Sequence, residues 1–332
     1  MRKHHLLVWL LHALLASSAV AEGDGLAIYR GKTANQWARQ LGDQDVAARW
    51  YAAYALGQLG PQAAPWVDAL AKTLGNRGEN EYVRGSAARA LGCIGPAAES
   101  AVALLADTSA SEHHLSVRRQ ASWALGRIGA AAKPAVEALL KRLDDQDVVV
   151  RVYAAVSVWQ IERHAKAIPA LVAIARRGEG PGVCQAAAAL GELGPAAEPA
   201  IPVLVELLRQ GDEDVSRAAA ASLGRLGPGV LAAVKGVLGA PQESARQRAV
   251  EVLEQLGPAA VPILIEALAN SNPLARRSAA RALGRLGPAA REAMPALLEA
   301  VNDKDQPVRE TAAEAIKQVR AEETSPADTK KL

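Results

Sequence analysis

Apolar residues recur at helical spacing in paired blocks along most of this chain. In Arg291–Val301, the residues Met294, Leu297, Leu298 and Val301 fall on one stripe. After a polar stretch, Asn302–Pro307, a second stripe follows at Val308, Ala312, Ala315, Ile316 and Val319. Spacings of three and four residues place such side chains on one face of an amphipathic helix. The polar stretch reads as a turn, with Asp305 placed to cap the next helix and Pro307 near its start. Each pair of blocks is therefore a helix hairpin. About nine can be drawn, with second helices near 45–59, 80–94, 116–128, 147–161, 181–193, 214–226, 242–256, 272–286 and 307–320. No run alternates with period two, so the expected class is all-α.

One motif punctuates the pattern. Leu-Gly-x-Leu/Ile-Gly stands at Leu56–Gly60, Leu91–Gly95, Leu125–Gly129, Leu190–Gly194, Leu223–Gly227 and Leu283–Gly287. Successive motifs and their weaker copies are roughly 30 to 35 residues apart, the period of a solenoid. The second Gly follows the last helical turn, where positive φ is wanted, and Pro follows it in six copies. The first Gly lies inside the helix, at a cost of about 1 kcal/mol relative to Ala. Its recurrence points to close helix approach, helped by small neighbours such as Ala53, Ala55, Ala87, Ala90, Ala279 and Ala282.

Together these features resemble HEAT repeats, of the short Ala- and Gly-rich kind found in phycobilisome bilin lyases. The shared residues are Tyr82-Val-Arg84 with Ala90-Leu-Gly92, Val117-Arg118 with Ala124-Leu-Gly126, and Val308-Arg309 with Ala315-Ile316. The resemblance covers about residues 30–320 and implies an armadillo-like α-solenoid of about nine hairpins. A repeat shared by so many unrelated proteins implies a binding or scaffold module, with no catalytic, cofactor or metal site.

Composition agrees. Half the residues are apolar, yet Phe is absent and aromatics make up 3%. Thin hairpins packed on Leu, Val and Ala need no Phe, whereas one large core normally would. The ends divide the chain further. Met1–His5 is basic, Leu6–Ala16 is apolar and Ala19-Val20-Ala21 fits a secretory cleavage site. The expectation is a signal peptide at 1–21, a solenoid at 22–320 and a polar tail at 321–332, in an exported, periplasmic or secreted protein. The apolar run is too short to span a membrane, and no other stretch of 18 apolar residues occurs, so no transmembrane segment is expected. Losing Arg2 and Lys3 would take the formal charge from +3 to +1, which argues against nucleic acid as a partner.

Candidate chemistry is sparse. Beyond the leader, His occurs only at His113, His114 and His164, in turns of two kinds that should project from opposite edges. Deoxyhypusine hydroxylase, a HEAT-like enzyme, builds its diiron site from His-Glu pairs; none occurs here. The bilin-lyase role does not suit an exported chain. Cys93 and Cys184 are three repeats apart, about 25–30 Å at 8–10 Å per helix layer, too far for a disulfide. The acidic pairs Asp43/Asp45, Asp145/Asp147, Asp212/Asp214 and Asp303/Asp305 sit where helices need N-caps. Arg49, Arg84, Arg118, Arg151, Arg246, Arg276 and Arg309 recur one residue after the first stripe position and should pair with a neighbouring turn. A different set points away from the stripe: Trp50, Tyr54, Arg119, Trp123, Arg127, Arg277, Arg281 and Arg285. Exposed aromatics among arginines are the composition of contact sites. These eight residues are the expected contacts on a concave face, for another protein or an acidic polymer.

Overall fold

In the computed structural model, residues 20–22, 26–177, 181–210 and 212–321 are described. The proposed leader before Val20 and the tail from Glu322 lie outside them. Three short strands come first: β1 (Val20–Glu22), β2 (Leu26–Tyr29) and β3 (Lys32–Thr33), antiparallel in the order β1-β2-β3. Ala21 pairs with Ala27, so the expected cleavage point falls inside β1. This small sheet was not foreseen, because strands of two to four residues leave no alternation to read.

Nine hairpins follow among the described residues. The first helices are α1 (Ala34–Arg39), α3 (Val67–Gly75), α5 (Val102–Ser111), α7 (Val136–Arg142), α9 (Ala167–Arg176), α11 (Ile201–Gln210), α13 (Leu231–Lys235), α15 (Val261–Leu268) and α17 (Met294–Ala300). The second helices are α2 (Val46–Leu59), α4 (Glu81–Ile94), α6 (Leu115–Ile128), α8 (Val148–Glu162), α10 (Pro181–Glu192), α12 (Glu213–Leu226), α14 (Glu243–Leu256), α16 (Pro273–Leu286) and α18 (Gln306–Arg320). The chain is thus an all-α solenoid. Its contacts divide it into two compact units, Met1–Ala170 and Leu171–Leu332, with the division inside α9. In the first unit α2 packs on α4, α4 on α6 and α6 on α8; in the second the same succession runs from α10 to α18.

The first helices are shorter than their stripes suggested. Seven residues from Gly287 to Ala293 form a 3-10 turn before α17, and the same connection recurs at Gly60, Gly95, Gly129 and Gly194. Gly287 has φ 58° and ψ −137°, not the left-handed helical conformation of an ordinary C-cap. That region is close to Gly-only, so Gly287 is needed for this backbone conformation. Residues 81–111 are apolar enough over 31 residues to cross a membrane, but they are two helices, α4 and α5, broken by that turn, and the most apolar part is 50% buried.

The glycine inside each second helix does mark close approach. A Cβ on Gly92 would meet Trp123 at 2.7 Å and the Cα of Ala124 at 2.8 Å. One on Gly191 would meet the Cα of Ser222 at 2.7 Å. At that spacing Ser reaches the neighbouring backbone: Ser157 Oγ donates to Ser122 O, and Ser222 Oγ to Ala187 O, both at 2.8 Å. Each such bond satisfies a buried hydroxyl and contributes about 1 kcal/mol.

The turns are held by the recurring Arg. Arg276 Nη1 donates to the carbonyls of Asn270 and Ser271 in its own turn, at 2.9 and 3.0 Å. Its Nε and Nη2 reach Asp303 of the next turn at 2.6 and 2.7 Å. Arg49 does the same with Glu79, Arg84 pairs with Glu112 and Arg118 with Asp145. Arg246 pairs instead with Glu243 of its own helix. The hydrogen bonds from Arg276 hold the Asp303 carboxyl below its ordinary range, and those from Arg49 do so for Glu79. Asp45, Asp147, Asp212 and Asp305 cap their helices. In three pairs the first Asp accepts the amide of the second at 2.9 Å, a turn lock rather than a cap.

Candidate binding surface

Position along each second helix decides what a side chain meets. Residues two, six and ten places after the buried stripe position leave the helix away from its hairpin partner. In the first unit these levels hold Trp50, Tyr54 and Gln58 on α2, then Arg89 and Cys93 on α4, then Arg119, Trp123 and Arg127 on α6.

Trp50 and Tyr54, one turn apart, stack with ring centroids 5.8 Å apart and planes 15° apart. Trp50 is exposed, at 39%. The platform extends through residues that the sequence reading missed. Tyr51 packs edge-on to Trp37 at 5.3 Å, and Tyr29 edge-on to Tyr54 at 6.4 Å. Arg30, at the tip of the β2–β3 hairpin with φ 48°, lays its guanidinium near the Tyr29 and Tyr51 rings at 6.0 and 5.8 Å. Burial pushes the Tyr51 hydroxyl above its ordinary pKa. The crowding of seven aromatics between Tyr29 and Tyr82, in a chain so poor in them, was the signal available.

On α6, two arginines stand near the Trp123 ring. The Arg89 guanidinium stands 5.1 Å from it and that of Arg127 5.9 Å. The ring rests over Gly92, so the glycine that admits α6 also seats this tryptophan. Cys93 lies under the same arginines. Burial raises its pKa more than Arg89 and Arg127 lower it, so it stays a thiol at neutral pH. Both Cys93 and Cys184 are free.

Arg119 has a partner within the fold. It makes two hydrogen bonds to Asp147, at 2.9 and 2.6 Å, and so ties α6 to the cap of α8. Burial would raise the Asp147 carboxyl, but Arg119 and the Val150 amide hold it below its usual range.

The second unit answers its own arginines. The Arg277, Arg281, Arg285 row on α16 was read as exposed like charge. Arg281 pairs with Glu243 at 3.3 Å and Arg285 with Glu254 at 3.0 Å, both on α14. Arg277 is half-buried, with its Nε out of solvent. The row therefore lacks the free positive field inferred for it. An open groove beside it, between α16 and α18, is lined by Arg281, Arg285, Glu310, Thr311, Glu314 and Gln318, of mixed charge.

His113 is exposed, while His114 pairs with Glu81 of α4. Among the described residues no three His, Cys, Asp or Glu side chains gather as a metal site would require.

Known proteins bear on the fold. The model of HEAT repeats matches residues 34–126, 72–156, 136–224, 168–254 and 230–317. No curated protein matches. Among solved structures the chain is similar to yeast importin-beta, Kap95p, at 15% identity and a TM-score of 0.54, covering 88% of this chain and 46% of that one. It is also similar to Kap95 in its complex with Nup1, at 15% identity and a TM-score of 0.52, covering 87% of this chain and 45% of that one. The chain spans less than half the length of those importins, and identities this low show the fold alone. Human deoxyhypusine hydroxylase is 24% identical, with a TM-score of 0.34, over 87% of this chain and 96% of that one, too loose a superposition to carry an argument. The match to the bilin-lyase kind of repeat has no counterpart here. From the repeat matches and the stacked hairpins together, the chain belongs to the family of HEAT-repeat proteins.

Proposed function

We propose that this protein is a non-enzymatic binding scaffold, and that it holds a partner protein on the second-helix face of its first unit. The observation that carries the reading is the cluster of Arg89 and Arg127 about Trp123, set on the same face as the stacked Trp50 and Tyr54. Holding a half-exposed tryptophan beside two cations adds little to a fold already closed by Leu and Ala. Aromatic and Arg side chains in fixed positions are what concentrates binding energy at protein contacts. The proposed leader supports a second part of the reading, that this scaffold works outside the cytoplasm; N-terminal sequencing of the exported protein should then begin at Glu22.

Affinity capture tests the main part. The full chain, recovered from its native envelope, should bring down a protein that is lost with Trp50→Ala and Trp123→Leu together. A co-purifying protein that ignores both substitutions would remove this face from the account.

A further inference from the structure

The exposed apolar side chains of the first unit are not scattered. Among the described residues five large ones are exposed, and four of them, Val46, Trp50, Tyr82 and Leu115, lie within the first five residues of α2, α4 and α6. We infer that this strip takes a proline-rich segment of the partner protein in the polyproline II conformation, with a basic residue at its α2 end. The inference rests on the protein-binding reading above and specifies the segment. Trp50 also stacks on Tyr54, so the strip runs on from the aromatic platform.

The three helix starts are held side by side. Arg49 of α2 reaches Glu79 in the turn before α4 at 2.7 and 2.8 Å, and Glu81 of α4 pairs with His114 at the start of α6. Neighbouring helices pack about 8–10 Å apart, so a segment crossing them must offer a side chain on one face at about that interval. A polyproline II helix does so, because three residues at about 3.1 Å make a turn of about 9.3 Å. A β-strand returns to one face about every 6.6 Å. An α-helix does so about every 5.4 or 10.8 Å. Neither keeps step with the rows.

The polar atoms select the same ligand. Among the described residues the Trp50 indole N–H and the Tyr82 hydroxyl have no hydrogen-bond partner. Tyr82 is the most exposed of the four, at 63%. Polyproline II has no internal hydrogen bonds, so its carbonyls are free to accept from both. Those of an α-helix are already taken. Aromatic surfaces also suit proline rings, which is how other modules dock such segments. The basic residue follows from charge. Asp43 and Asp45, just before Val46, are exposed and form no ion pair among the described residues, while Arg49 beside them is paired with Glu79. Their carboxylates accept backbone amides and keep their charge.

The test is selection of a displayed library of random 12-residue peptides on the purified full chain. Enriched peptides should carry Pro or another apolar residue at every third position over about seven residues, with Lys or Arg at one end. A synthetic peptide of that consensus should bind the Tyr82→Ser, Leu115→Ser double variant about tenfold or more weakly. Both side chains are exposed, so this variant should melt like the parent. Trp50→Phe keeps a ring and removes the donor, and should weaken binding about threefold or more. Asp43→Asn with Asp45→Asn keeps both turn hydrogen bonds and should weaken binding about threefold at low salt and less at high salt. Leu298→Ser, at the exposed leucine of the second unit, should leave affinity unchanged. Enriched peptides with the three-and-four spacing of an α-helix would overturn the inference and leave the protein-binding reading standing. So would a consensus peptide whose binding survives the double variant. Where that variant melts early, Trp50→Phe decides, and unchanged affinity overturns the inference. No enrichment at all would overturn it too, while the protein-binding reading stands or falls with capture of the partner.

Discussion

The two units are built alike inside and differ outside. Gly92 in the first and Gly191 in the second each let the next helix approach until a Cβ would strike backbone. Ser157 and Ser222 make the same bond to the preceding repeat. Arg84 and Arg276 reach the acid of the following turn alike. Yet ten of the eleven aromatic residues lie between Tyr29 and Trp159, and none follows Trp159. Where the first unit sets arginines on Trp123, the second sets them on glutamates. Trp37 lies in the first unit's core, and Tyr51, Trp66 and Trp159 pack against it, so it is the difference at the outward levels, at Trp50, Tyr54 and Trp123, that reports something other than folding. Exposed ion pairs contribute little, about 0–1 kcal/mol, so the second unit's face is a solvated surface.

The largest effects should fall on what is shared. Arg84→Ala leaves Glu112 without its guanidinium and the Leu74 carbonyl without its donor, and Arg276→Ala leaves Asp303 and the carbonyls of Asn270 and Ser271 in the same state, a loss of about 3 kcal/mol or more in each. Chemical unfolding should find the two costs within a factor of two. A cheap Arg84→Ala beside a costly Arg276→Ala would mean that the ladder is not common to both units.

Gly92→Ala and Gly191→Ala come next, at about 1–3 kcal/mol each from overpacking. They should part company in binding. Gly92→Ala lifts Trp123 from its seat and should weaken capture of the partner about tenfold or more, while Gly191→Ala should leave it unchanged. Equal binding by the two variants would detach Trp123 from the surface.

Acidification should act on both units together. Glu79 and Asp147 in the first unit and Asp303 in the second have folded-state pKa values below their ordinary ones. A depressed carboxylate adds stability above its unfolded pKa, about 3.9–4.3, and loses it as pH falls through the folded value. Melting temperature should therefore be flat from pH 7 to about 5 and fall below about 4. A rise in that window would contradict the pairing.

Most of the fold was legible because it repeats. One hairpin's stripes and cap, read at Met294–Val319, together with the Gly-Pro stop of the earlier copies, gave the other second helices to within a residue or two. The β1–β3 sheet was not legible, since it occurs once and its strands are too short to show a period. The surface was legible only in part. Trp50, Tyr54, Trp123 and Arg127 stand where helical spacing put them. The ion pairs of Arg119, Arg281 and Arg285 were not legible because their partners Asp147, Glu243 and Glu254 are 28 to 38 residues away, on another helix. Spacing within one helix cannot reveal a partner on the next. Tyr29, Trp37 and Tyr51 were missed for the same reason: only the folded hairpins bring them against Tyr54.

The central claim is that the partner sits on the first unit's face and not on the second's. Gln160 on α8 and Gln255 on α14 occupy the same level of their repeats and are both exposed. A photo-cross-linking residue placed at each in turn, with the captured partner bound, tests the claim most directly. Cross-linking from position 160 and none from position 255 is the predicted result. Cross-linking from position 255 alone would contradict the account.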